Sequence, residues 1–204
     1  MNKFSNKMIV TISVLTVLLG VFLLSSNYLS GKKENAYEKV KISLSTVKNG
    51  KKEDNTPKQI EEEEKVNYDT GDYLGILDIP KINLSRGFYD KENEYNTIHY
   101  NVTLLEPSNY PDEKGGNVIL VAHSGSSYIG FFKHLYQLTL GDEAFITYKN
   151  HKYEYKIVNI YDETKDGDVT IYRNKKKSTL TLVTCTKDDD TKQTIYILEL
   201  QKVD

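Results

Sequence analysis

The run Asn117-Val118-Ile119-Leu120-Val121-Ala122 is apolar at nearly every consecutive position, without the alternation of a strand that has one wet face. A short, continuous apolar run of this kind fits a strand buried on both faces, so the chain must supply cover on two sides of it. The cover reads as more strands. Tyr73 to Ile79 forms one run, broken by Pro80 before Ile82-Asn83-Leu84. Glu143 to Tyr148 and Lys152 to Tyr161 flank the turn residues Lys149-Asn150-His151, and Tyr153, Tyr155 and Ile157 alternate with Lys152, Glu154 and Lys156 as in a half-buried hairpin strand. Ser178 to Cys185 and Thr194 to Leu200 add two more, joined by the polar connector Thr186 to Lys192. The one stretch that reads as helical is Gly130 to Leu138. Many short strands with turn signals between them predict a mainly β fold, a closed barrel or a sandwich. Sixteen Tyr, six Phe and no Trp, with many Val, Ile and Thr, favour the same class.

The N-terminal third has a different texture. Met8 to Leu24 is an uncharged apolar run, extended by Ser25 to Leu29, and about 17–25 residues of helix suffice to span a bilayer. Lys3 and Lys7 precede it, no Asp or Glu does, and Lys32 and Lys33 follow. The expected order is a cytoplasmic N-terminus at 1–7, a transmembrane anchor at 8–29, a polar extracytoplasmic tether at 30–67, and a β-barrel at 68–204. The expected location is thus the cell membrane, single-pass, with the barrel outside. A cleaved signal peptide is the alternative for the apolar run, although no small-x-small site of Ala type follows it. The tether is rich in Lys, Glu and Asn and carries the run Glu61–Glu64, a composition too polar to bury a core. Across 204 residues the net charge is −2, which gives no basic surface for nucleic acid.

Cys185 is the only cysteine. A lone thiol has no disulfide partner, so it is packing or a nucleophile. Cysteine catalysis needs a neighbouring imidazole or other positive group, and the chain offers His99, His123, His134 and His151. His151 falls in the hairpin turn, His134 in the helical stretch, and His99 in an irregular segment. His123 stands apart, because it closes the buried run 117–122 and precedes Ser124-Gly125-Ser126-Ser127. A strand end opening into a loop is where a rigid scaffold presents chemistry.

These pieces together resemble the sortases, membrane-anchored cysteine transpeptidases of Gram-positive bacteria. Thr181-Leu182-Val183-Thr184-Cys185 fits the TLxTC signature, and Asn117 to His123 fits the strand that ends in the catalytic histidine. Phe131-Phe132, Leu135, Leu138 and Gly141-Asp142 resemble the segment after it, and Leu77 to Ile82 the opening strand. The resemblance covers roughly Gly71 to Val203 and implies a closed eight-stranded β-barrel with one or two short helices. It implies that Cys185 attacks the Thr–Gly carbonyl of an LPxTG-like sorting signal on secreted proteins to form a thioacyl-enzyme. His123 then protonates the leaving amine, and the amine of a cell-wall peptidoglycan precursor resolves the thioester. No cofactor or metal is implied.

One position departs from the pattern. The family places an arginine on the final strand to stabilise the oxyanion, and Gln193 stands there; Arg occurs only at Arg86 and Arg173. An amide can donate hydrogen bonds but carries no charge. The candidates for the transition-state stabiliser are therefore Gln193, Lys192 and Arg173, with Lys187 and Arg86 as further cations. An impaired enzyme, or a non-enzymatic membrane-tethered β-domain, is the alternative reading. The chain ends without a second apolar run and the tether has no Asp-Pro-aromatic lid motif, and both absences argue against the pilus-polymerising class. Tyr161 to Thr179 is short and polar, which leaves little room for the long helical insertion of the class that acts on iron-acquisition proteins, so a general housekeeping or spore-associated type is expected. A calcium site is conceivable for Asp188-Asp189-Asp190 or for Asp162, Glu163, Asp166 and Asp168, but a solvated acidic loop is the expectation.

Overall fold

The computed structural model describes residues 11–22 and 73–204. Residues 11–22 are helical. Among the described residues no helix is long and apolar enough to cross a membrane. The expected anchor at 8–29 extends past these residues on both sides, and the tether at 30–67 lies outside the described residues altogether.

Residues 73–204 form one eight-stranded sheet built from β1 (Gly75–Ile79), β2 (Leu84–Phe88), β3 (Thr103–Leu104), β4 (Asn117–Val121), β5 (Glu143–Tyr148), β6 (His151–Thr164), β7 (Thr179–Cys185) and β8 (Lys192–Val203). The order across the sheet is β2-β1-β5-β6-β8-β7-β4-β3. A parallel bridge between Phe88, at the end of β2, and Val102, just before β3, joins the two edges. The barrel is thus nearly closed, and this single contact stands where full closure was expected. Every ladder is antiparallel except β4 on β7.

The strand patterns follow from which faces are buried. On β4, Val118, Leu120 and Ala122 face the main core together with Leu180 and Leu182 of β7 and Tyr196 and Leu198 of β8. Their neighbours Ile119, Val183, Ile195 and Ile197 form a second cluster on the other face, covered by Val169 and Ile171 from the β6–β7 connection. Burial on both faces is why 117–122 and 179–184 read as continuous runs rather than alternating ones. β6, exposed on one face over most of its length, shows the alternation expected of it. Lys149 and Asn150 both sit at positive φ, the backbone of a two-residue turn whose twist suits a hairpin, and His151 opens β6 in the exposed position expected of it.

The structure refines the sequence reading at three places. Within Gly130 to Leu138 the helical part is short, the 3-10 turn Leu135–Gln137. The Phe132 N–H donates to the carbonyl of His123 at 2.9 Å, so the segment folds back on its own entry instead of winding forward. Ile82 belongs to a 3-10 turn opened by Pro80, and the strand begins at Leu84. β3 is only two residues long and has no pattern to read.

The parallel β4–β7 pair is fastened by a buried polar cluster. Asn117 Oδ1 accepts hydrogen bonds from Thr179 Oγ1 and Thr181 Oγ1, each at 2.9 Å. All three residues are buried. Removing a buried acceptor strands its donors, so Asn117→Ala should lower unfolding free energy by about 1–3 kcal/mol, read as a lower urea midpoint.

Candidate functional site

In a parallel pair both strands deliver their C-terminal ends to the same side. Val121 of β4 stands beside Val183 of β7, and the Thr184 hydroxyl donates to Ala122 O across the same offset of 62 positions. Carrying that offset one step further sets His123 abreast of Cys185. Both residues line a cleft of about 830 Å³ at this end of the barrel, and both are half-buried.

The backbone around His123 is fixed on three sides. Ala122 O accepts from Thr184 Oγ1 at 2.8 Å, the Ala122 N–H donates to Val183 O at 3.4 Å, and His123 O accepts from the Phe132 N–H. Phe132 is itself buried in the core, which pins the return of the loop. The His123 ring packs near His99, with centroids 6.0 Å apart. His99 carries no sequence signal, since it lies in the irregular segment between β2 and β3. Of the other two, His134 lines the cleft beside Lys133, and burial holds its pKa below the usual histidine value, with the Lys133 charge adding to the effect. His151 hydrogen-bonds the carbonyl of Asp204 and is not part of the cleft.

Cys185 ends β7, and its cross-strand partner on β8 is Gln193. The sequence resemblance expects an arginine at this position, and the register does put Gln193 there. The Gln193 amide does not turn toward the sulfur, however: its Nε2 donates to Asp168 O at 3.2 Å in the β6–β7 connection. The other candidate stabilisers are also engaged. Arg173 Nη1 donates to Gly115 O at 3.0 Å and Lys177 O at 3.3 Å, at the end of β4 and β7 opposite Cys185. Lys192 pairs with Asp189 at 3.3 Å, Lys187 lies 4.0 Å from the Tyr136 ring centroid, and Arg86 is buried over Phe131. The cation that does reach Cys185 was missed by sequence reasoning. Lys165 Nζ lies 3.0 Å from the sulfur and donates to it. Lys165 sits in a polar stretch with no motif of its own, and only the meeting of β6, β8 and β7 reveals its target.

Tyr196 also lines the cleft; burial, with Asp162 adding to it, pushes its phenol up to about 12, so the hydroxyl keeps its proton. Among the described residues no group of three or more His, Cys, Asp or Glu is placed to hold a metal ion. The acidic connector Asp188–Asp190 instead uses Asp189 locally, where hydrogen bonds from the Thr191 hydroxyl and N–H and the pairing with Lys192 hold its carboxyl below the ordinary range. The arrangement offers a thiol, an imidazole and an ammonium around an open cleft, the parts needed for nucleophilic acyl transfer.

Comparison with known proteins gives a consistent result. The Sortase domain family matches residues 77–201. Sortase D of Bacillus subtilis (strain 168) is 27% identical over 154 residues, which cover 76% of this chain and 75% of that protein. Among solved structures, sortase C1 from Streptococcus agalactiae is 28% identical with a TM-score of 0.54, covering 64% of this chain and 68% of that one. The lid mutant of sortase A from Corynebacterium diphtheriae, at 20% identity, shares the fold with a TM-score of 0.57, covering 64% of this chain and 71% of that one.

The loop that presents His123 has no slack at Gly130, where an added Cβ would stand 1.8 Å from the Gly125 carbonyl oxygen. At Gly125 an added Cβ would meet nothing within 4 Å. Gly130→Ala should therefore cost about 1–3 kcal/mol of stability, while Gly125→Ala stays within about 0.5 kcal/mol, both measured by denaturant melts.

Proposed function

The chain belongs to the sortase family, and from that premise we propose that it is a cysteine transpeptidase whose nucleophile is Cys185 and whose proton carrier is His123. The observation that supports the reading is the parallel β4–β7 pair, whose register ends two residues before His123 and Cys185, with both residues lining one cleft. Its substrate would be a protein bearing a C-terminal LPxTG-like sorting signal. The Cys185 thiol gives its proton to His123 as its sulfur attacks the Thr carbonyl, the tetrahedral intermediate collapses, and the C–N bond to Gly breaks as His123 passes that proton to the departing amine. A cell-wall amine then attacks the thioester and gives its proton to His123, the S–C bond breaks, and the departing Cys185 sulfur takes the proton back from His123. Splitting one transacylation into two steps through a covalent intermediate is what a cysteine–histidine pair supplies.

The β6–β7 connection, Lys165 to Ser178, contains no helix, which supports a type without the long helical insertion of the sortases that act on iron-acquisition proteins. The uncharged run 8–24, helical over 11–22, supports a single-pass membrane anchor at 8–29 with the barrel on the outer face, where secreted proteins and cell-wall amines are found.

The test uses the full chain and a peptide carrying an LPxTG-type motif between a fluorophore and a quencher. Wild type should cleave it, and added amine should divert the product from acid to amide. Cys185→Ala and His123→Ala should each lower turnover by about 10³-fold or more, because only binding contributions then remain. Equal residual turnover in all three proteins would sink the claim.

The orientation of Gln193 yields a separate expectation. Loss of an oxyanion donor costs about 10²–10³-fold in kcat. Because the Gln193 amide is spent on Asp168 O, Gln193→Ala should cost less than about tenfold in the same assay.

A further inference from the structure

Positive charge reaches Cys185 from the end of β6 rather than from β8. Lys165 directly follows β6, whose last residues Glu163 and Thr164 pair with Gln193 and Lys192 of β8. Its own N–H donates to Thr191 O at 2.9 Å, extending that ladder by one rung. This fixes the backbone next to the connector that follows Cys185. The side chain then reaches across, with Nζ 3.0 Å from Cys185 Sγ and 3.4 Å from Asp190 O. The ammonium lines the same cleft as His123.

We propose that Lys165 is a catalytic residue of the acyl-transfer reaction, supplying from the end of β6 the cation that Gln193 does not supply from β8. The proposal rests on the transpeptidase reading. Donation from an ammonium is stronger to an anion than to a neutral acceptor, so Lys165 is placed to hold negative charge at the reacting centre. When the sulfur's electron pair forms the S–C bond, the carbonyl π electrons move to oxygen, and negative charge leaves the sulfur for an atom two bonds away. The donor that has just lost its anionic acceptor is left beside the new one. Collapse restores the C=O bond, the C–N bond breaks, and the leaving amine takes its proton from His123. Lys165 keeps all its protons throughout. Its part is electrostatic, a charge held beside the cleft where the oxyanion develops.

Asp190 contributes its backbone carbonyl, which orients the ammonium without neutralising it. Of the cleft carboxylates Asp188, Asp189 and Asp190, Asp189 is committed to Thr191 and Lys192. Lys187 is held over the Tyr136 ring. Among the described residues, Lys165 is the cation with a hydrogen bond to the Cys185 sulfur.

Three forms of the full chain, wild type, Lys165→Met and Lys165→Arg, separate this role from a structural one. Two readouts apply: kcat and KM on the sorting peptide, and the rate at which iodoacetamide alkylates Cys185 at neutral pH with no peptide present. Lys165 is exposed, so melting temperature should be the same in all three. Lys165→Met should lower kcat by about 10²-fold or more with KM within about twofold, since the lost interaction belongs to the transition state. Alkylation should fall about tenfold, and Lys165→Arg should recover most of both rates. Wild-type kcat and alkylation in Lys165→Met would overturn the role of Lys165 while leaving the transpeptidase reading intact. Slowed alkylation in Lys165→Met, in a protein whose wild type cleaves no sorting peptide, would uphold the Lys165–Cys185 pairing and overturn the transpeptidase reading instead.

Discussion

The parallel pairing of β4 with β7 is the constraint on which the site depends. Antiparallel neighbours would send the end of β4 to the opposite rim of the barrel and put His123 a full strand length from Cys185. Parallel strands cannot be joined by a tight turn, and here the crossover between them carries β5 and β6. The pair is held at its start by Asn117 with Thr179 and Thr181, and at its end by Thr184 on Ala122. Threonines in TLTLVTC thus do a second job beyond strand propensity. They fasten the register that brings the chain to His123 and Cys185 at the same rim.

Burial on two faces gives that pair its rigidity. Leu180 and Leu182 enter the main core, while Val183 joins Ile119, Ile195 and Ile197 under the β6–β7 connection. The connection is tied down by polar contacts as well as by Val169 and Ile171. Tyr161 Oη donates to Thr170 O and accepts from the Tyr172 N–H, and Glu163 accepts from the Thr170 N–H. Gln193 belongs to this set through Asp168. Its amide therefore serves to hold the connection beside the cleft, which is why a residue adjacent to the cysteine points away from the reaction.

The β class and the two buried strands were legible because a continuous apolar run in so polar a chain has to be covered on both faces. The cysteine and histidine were legible because each ends such a run. What escaped were features with no period. β3 is too short to show one, and Gly130 to Leu138 mimics a helix in composition while Phe132 spends its N–H on His123. Arg173 looked plausible by its nearness in sequence to the cysteine strand, yet it precedes β7, and seven strand residues carry the chain from that end to the cysteine.

Lys165 was illegible for a different reason. Its relation to Cys185 crosses three strands and arises from neighbours in space, β6 beside β8 and β8 beside β7, whose sequence distances carry no signal. A charge needed at one point in a barrel can be delivered from any strand end at the same rim. β7, β8 and the segments that follow β4 and β6 all line this cleft, so a cation that β8 does not carry can come from a lysine just after β6. The replacement is not equivalent. A guanidinium offers a planar fork that can hold two acceptors at fixed angles, whereas an ammonium is a compact charge on a flexible stem. The Asp190 carbonyl supplies part of the missing direction by holding Nζ toward the sulfur, so orientation that arginine carries in its own shape is here divided between a side chain and the connector it touches.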